Sequence, residues 1–177
     1  MENTPLRPRH LLIAFGFGAL STLVASWASL ALMLRTSTYT LPFAVEDAGL
    51  VTILMAVIVA PFVEELAKPI GLYFIRSEEK PDFKLGDWAL LGAMAGLGFA
   101  MVENFLYAAT VLSYGADVSA MLLGLRFLLP LHMIATAISG YGVGLWAKTG
   151  NAKYFAACIS VSMLLHGLFN LAASVVG

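Results

Sequence analysis

The feature that most constrains this chain is the length and spacing of its apolar runs. An α-helix rises 1.5 Å per residue, so about 20 consecutive apolar residues are needed to cross the hydrocarbon of a bilayer. Five such runs follow one another, at Leu11–Leu34, Leu50–Ile75, Trp88–Leu112, Ser119–Ala147 and Tyr154–Val176. Only 12% of the 177 residues are charged and 60% are apolar, whereas a soluble domain carries about 25% charged residues. The sequence therefore predicts an all-α integral membrane protein, a single domain over 1–177 built as a bundle of five transmembrane helices. It is expected in the cell membrane as a multi-pass protein. The connections are short, the one strongly charged stretch being Arg76–Asp87, and no soluble domain fits between them. A net charge of −1 with scattered basic residues excludes a nucleic-acid partner. The one cysteine, Cys158, lies in an apolar run and is read as a small buried side chain.

The first run follows Arg-Pro-Arg-His like a signal peptide, but its apolar stretch is too long for one, so it reads as a retained helix. Arg7, Arg9, Arg76, Lys80, Lys84, Lys148 and Lys153 flank one set of run ends, and Arg35 alone flanks the other. Positive charge stays inside, which predicts a cytoplasmic N-terminus and a C-terminus outside, with Trp88, Trp146 and Tyr154 at the cytoplasmic interface. Gly92 with Gly96, and Gly140 with Gly144, stand at the spacing that lets helices approach closely, and are read as packing. The segment around Glu78, Glu79 and Lys80 is read as a solvated loop. Arg126, about 10 Å inside the outer end of its run, is read as snorkelling or paired with Asp117.

Polar residues inside the runs carry the functional information. They are Glu64, Glu65, Lys68, Glu103, Asn104, Arg126, His132, His166 and Asn170. Each ionised side chain at mid-bilayer costs about 2.5–3.5 kcal/mol on the most lenient scale, so several together imply a use. Counting from the charged ends of the runs puts Glu64 and His166 at about 18 Å and Glu103 and His132 at about 22 Å. Four different helices thus bring polar groups to one depth.

Local patterns refine the list. In Pro-Phe-Val-Glu-Glu-Leu-Ala-Lys-Pro, Glu64 and Lys68 are four apart and share a helix face, while Glu65 is turned about 100° away. Pro61 and Pro69 each remove a helix hydrogen bond, and in lipid the freed carbonyls need another partner, so a kink is expected there. Glu103 shares a stripe with Phe99 and Tyr107, with Asn104 beside it. His132 follows Pro130 and aligns with Thr136 and Ser139, and Ser162, His166 and Asn170 recur at intervals of four. All three stripes are expected to line a common cavity, with Phe99 and Tyr107 as packing or wall.

The ordered set Glu64-Glu65-x-x-Lys68, Phe99-x-x-x-Glu103-Asn104, His132 and His166-x-x-x-Asn170 resembles the PrsW family of intramembrane proteases, and the match covers four of the five runs. That family is related to the type II CAAX prenyl endopeptidases, from which this sequence departs by placing Lys68 one residue early and Glu103 where they have histidine. The resemblance implies peptide-bond hydrolysis in or near the membrane-spanning segment of a membrane-anchored protein such as an anti-sigma factor. It implies Glu64, Glu65, Glu103, His132, His166 and Asn170 as functional positions, and nothing for the first run.

Amide hydrolysis needs an activated water, an oxyanion site and a proton for the leaving amine. Glu64 or Glu65 with Glu103 can share a proton and act as base and acid in turn, with Lys68 holding one carboxylate ionised. Glu64 is preferred as base because it shares a face with Lys68. His166 and Asn170 can donate to the oxyanion, and His132 can assist the water or shuttle a proton. No cofactor is favoured, since the His-Glu-x-x-His spacing of zinc proteases is absent. The alternative is Zn²⁺ or another divalent metal held by Glu64, Glu103, His132 and His166. Buried Glu and His also make proton relays, so a proton-coupled transporter is a rival function, although no internally repeated halves are visible. A non-catalytic adaptor that binds another protein's span is a third. Selectivity is expected to reside in the helix-lined groove and its loops.

Overall fold

The computed structural model describes residues 4–44, 48–111 and 130–176. All its regular elements are helical: α1 (Pro8–Ala44), α2 (Ala48–Leu54), a π-helical turn (Met55–Val59), α3 (Ala60–Ala67), α4 (Ile70–Glu78), α5 (Leu85–Val111), α6 (Leu131–Thr149) and α7 (Ala152–Val176). Among the described residues three helices are long and apolar enough to cross a bilayer, at Pro8–Leu32, Leu85–Ala109 and Ala152–Ser174. Of the other two expected spans, one is broken and the other is described only in its second part. Leu50–Ile75 is not one helix but four short segments, because a π-helical turn precedes Pro61 and the ladder breaks again at Pro69. The start of the expected span Ser119–Ala147, with Asp117 and Arg126, lies outside the described residues.

Neighbour relations run α1–α5–α6–α7, and the broken segment closes the circle by packing on α1 at one side and on α7 at the other. Glycine sets the closeness of these contacts. A Cβ on Gly96 would run into the His132 carbonyl, and one on Gly92 into that of Thr136. The expectation that these glycines serve packing therefore holds, and Gly96 in addition fixes how near His132 stands to α5.

Ser139, Ser162 and Thr136 do not line a cavity as their stripes predict. All three are fully buried, and Ser139 donates to Ser162 (2.9 Å), which donates to the Ala135 carbonyl (2.6 Å), so this part of the seam joins α6 to α7. Ser139 and Ser162 lie where α6 and α7 meet, and the same stripes reach the central space at His132, His166 and Asn170.

Arg9, Arg76 and Lys148 gather at one end of the bundle. Arg9 and His10 both bond Glu79 (2.9 and 3.0 Å), Lys148 bonds Asp82 (2.6 Å), and the Arg76 guanidinium stacks on Trp146 at 3.5 Å. Glu78, Glu79 and Lys80 are exposed, as the sequence predicts, while the stretch that follows is tied down, with Phe83 buried in the core. Trp88 likewise is not an interfacial anchor: it is fully buried against Phe83, Leu91 and Val143, because the docked segment covers it.

Candidate active site

The site is built around the break in the second apolar segment. The Ala60 N–H donates to the Met55 carbonyl, the five-residue step of a π-turn. One residue further along, the same step would pair Pro61 with the Ala56 carbonyl, and proline has no N–H. Asn170 Nδ2, from α7, donates to that carbonyl at 2.8 Å. The side chain offered by sequence to an oxyanion therefore first completes the backbone of the broken helix, which is the substitution a proline inside a bilayer requires. Gly167, three residues earlier, allows the approach, since a Cβ there would stand 2.5 Å from the Val57 carbonyl.

Held in this way, α3 presents its charges to the centre. Lys68 is completely buried and its Nζ donates to Glu65 Oε1 (2.7 Å) and to His132 Nδ1 (2.9 Å), with Glu64 Oε2 at 3.3 Å. The ring of Phe99 lies under the ammonium, 4.3 Å from Nζ to its centroid, so Phe99 packs against the buried charge. Behind it, Thr22 of α1 donates to the Phe99 carbonyl at 3.3 Å, a support from a helix that the sequence motifs leave out.

The two histidines extend the network. Because Lys68 donates to His132 Nδ1, His132 Nε2 carries the proton it gives to Glu103 Oε2 at 2.7 Å. His166 Nδ1 donates to Glu65 Oε1 at 3.0 Å, which leaves its Nε2 3.8 Å from Glu64 Oε2. One hydrogen-bonded chain, Glu103–His132–Lys68–Glu65–His166, therefore crosses α5, α6, α3 and α7.

Beside this chain lies a cavity of about 390 Å³ whose polar wall is Glu64, Glu103, Asn104, His132, His166 and Asn170. Its apolar wall includes Ala56, Ala60, Ala100 and Phe169. Every expected functional position except Glu65 lines it. Glu65 is fully buried behind it, bracing Lys68 and His166, and it is not turned away from Lys68 as helical spacing predicts. Positions three and four apart lie on adjoining parts of one face, so Lys68 reaches both carboxylates. Tyr107, in line with Glu103, does not line the cavity.

The residues present fit a divalent cation. Glu64, His132 and His166 each offer a ligand atom, and these lie within 4.8 Å of one another. Three ligands at about 2.0–2.2 Å from a tetrahedral zinc stand about 3.4 Å apart, so the set must contract. His132 must also release its Nδ1 from Lys68 to offer a ring nitrogen, its Nε2 being spent on Glu103. Glu64 Oε2 is buried and accepts no hydrogen bond. The Glu65 contact also fixes His166 with its proton on Nδ1, the usual support for a histidine that binds metal through Nε2. Glu64 and Glu65 both face the ammonium of Lys68.

The family model described as PrsW family intramembrane metalloprotease matches residues 7–177. No curated protein matches the chain, and no solved structure does.

Proposed function

The chain belongs to the PrsW family of intramembrane metalloproteases, and from that premise we propose that it cleaves a membrane-anchored protein at the cavity between α3, α5, α6 and α7 with the help of a divalent metal. The observation that carries the metal is the convergence of Glu64, His132 and His166 on the cavity wall. These residues would hold the ion, which when bound supplies Lewis acidity towards the substrate carbonyl and the attacking water.

The rest of the chemistry belongs to the chain. Glu103 lines the cavity and accepts a hydrogen bond from His132 Nε2, a position from which it takes the proton of the attacking water and returns it to the leaving amine. Lys68 and Glu65 orient His132 and His166 from behind. Asn170 contributes an N–H to the oxyanion while its other holds Ala56. The apolar alanines of the wall receive an unfolded stretch of the substrate's span. The reading includes a multi-pass protein of the cell membrane with its N-terminus in the cytoplasm, and a single-span substrate of the anti-sigma-factor kind that the resemblance implies.

A second reading has its own observation. Lys68 Nζ stands 2.9 Å from His132 Nδ1 and 3.3 Å from Glu64 Oε2, so an ammonium already supplies positive charge where the ion would sit. On this reading Glu64 is the base and Glu103 the acid, without metal. Purified protein incubated with single-span substrates separates the two. Metal dependence predicts that cleavage is lost on treatment with a strong chelator, returns with one equivalent of Zn²⁺, and that His166→Ala protein retains no metal. Cleavage that persists in a metal-free preparation, and disappears in Glu64→Gln, establishes the glutamic mechanism. Proton-driven solute flux with no cleavage of any substrate would reject both.

A further inference from the structure

A second pocket lies at the charged end of the bundle, far along α4 from the cavity. It has a volume of about 420 Å³ and is lined by Arg76, Ser77, Lys80, Pro81, Trp88 and Ala147. Two hydrogen-bond donors in its wall are buried without an acceptor, Arg76 Nε and the indole Nε1 of the fully buried Trp88. Buried donors are nearly always satisfied, so two in one small pocket point to an acceptor that is not part of the chain.

Charge at this end points the same way. Glu79 is held by Arg9 and His10, and Asp82 by Lys148. Among the described residues, Arg76 and Lys80 make no ion pair. The Arg76 guanidinium is fixed in orientation by its stacking on Trp146. Lys80 has a backbone φ of 44°, the left-handed region that a lysine seldom adopts, and this turn at the end of α4 places it in the pocket wall.

We propose that this pocket binds a phosphate group, with Arg76, Lys80 and the Trp88 indole as its donors. Phosphate oxygens are the acceptors that guanidinium, ammonium and indole N–H groups jointly suit, and at a membrane surface the group is supplied either by an anionic phospholipid headgroup or by free phosphate.

The test uses the full chain in detergent. In one arm, native mass spectrometry measures retention of phosphatidylglycerol against phosphatidylcholine. In the other, inorganic phosphate is titrated and Tm is read. Lys80→Gln removes an exposed charge, and Trp88→Phe removes the indole donor while keeping an aromatic ring in the core. Each is expected to weaken binding at least about tenfold. Lys153→Gln, at the same end but outside the pocket, is expected to leave binding unchanged. Selective retention of phosphatidylglycerol identifies the headgroup, and a saturable rise in Tm with phosphate alone identifies the free anion. The proposal is overturned if wild-type protein shows neither, or if Lys153→Gln weakens binding as much as Lys80→Gln, which would mean diffuse surface charge. Should Trp88→Phe fail to fold, Lys80→Gln against Lys153→Gln decides the matter.

Discussion

Two buried polar regions share α6 and α7, and they are finished differently. Between α6 and α7, Ser139 and Ser162 form a closed relay that ends on the Ala135 carbonyl. One to two turns along, where α3 and α5 join these helices, the relay of Glu103, His132, Lys68, Glu65 and His166 leaves Glu64 Oε2 and Glu65 Oε2 buried without a hydrogen bond. An unsatisfied buried acceptor costs about 1–3 kcal/mol, more when charged. The serine relay does what helix association needs and no more. The carboxylate relay is poorer as glue, holds a cavity beside it, and keeps charge where charge is expensive, which is what a site prepared for a water, a metal or a substrate amide looks like.

The strongest way to break this contrast is to neutralise Glu64. Glu64→Gln is expected to lower kcat/KM on a single-span substrate by on the order of 10⁴, about 5.4 kcal/mol of barrier, whichever of the two mechanisms operates. Unfolding stability should hold or rise, because the change removes a buried charge from beside Glu65 and Glu103. A variant that keeps its activity would reduce Glu64 to a packing residue. Lys68→Met is next. It strips the ammonium from Glu65, Glu64 and His132 at once, and loss of one partner from a buried ion pair typically costs about 3–5 kcal/mol. Equilibrium unfolding in mixed micelles measures it, and a loss below about 1 kcal/mol would show that the carboxylates are not charged together.

These two positions also mark what the sequence makes legible. Depth along each apolar run is additive in residues, so the meeting of polar groups from four helices near one level is readable before any fold is known. Helical spacing places Glu64 and Lys68 together, and they do meet. Spacing says nothing about which neighbour a face meets. The Ser139 and Ser162 stripes therefore read as cavity wall although they are spent on helix pairing, and Trp88 reads as an interfacial anchor although a docked segment buries it. Pro61 announces a freed carbonyl, but that Asn170 supplies the missing donor depends on how α7 lies across the π-turn, which is a tertiary fact.

Asn170 sharpens the comparison because it belongs to both kinds of polar group, lining the cavity and completing a backbone. Asn170→Ala leaves the Ala56 carbonyl without its donor in an apolar setting, so a stability loss of about 2 kcal/mol is expected. If its second N–H also serves the oxyanion, kcat falls by more than the unfolded fraction accounts for. A stability loss with unchanged kcat per folded molecule would assign Asn170 wholly to the helix.

The smallest effect is the most discriminating for the serine relay. Ser162→Ala removes the donor to Ala135 and the acceptor for Ser139, and interhelical hydrogen bonds in membranes are individually weak, so the expected destabilisation is about 1 kcal/mol. Cleavage per folded molecule should stay within about twofold of wild type, since Ser162 reaches neither the cavity nor the carboxylate chain. Cleavage assays below the unfolding transition measure this directly. Ser162 lies one helical turn before His166, so a large fall in kcat at unchanged stability would mean that the clamp sets the position of the histidine. The two regions would then be one device, with the closed relay acting as the rigid base on which the open one is held.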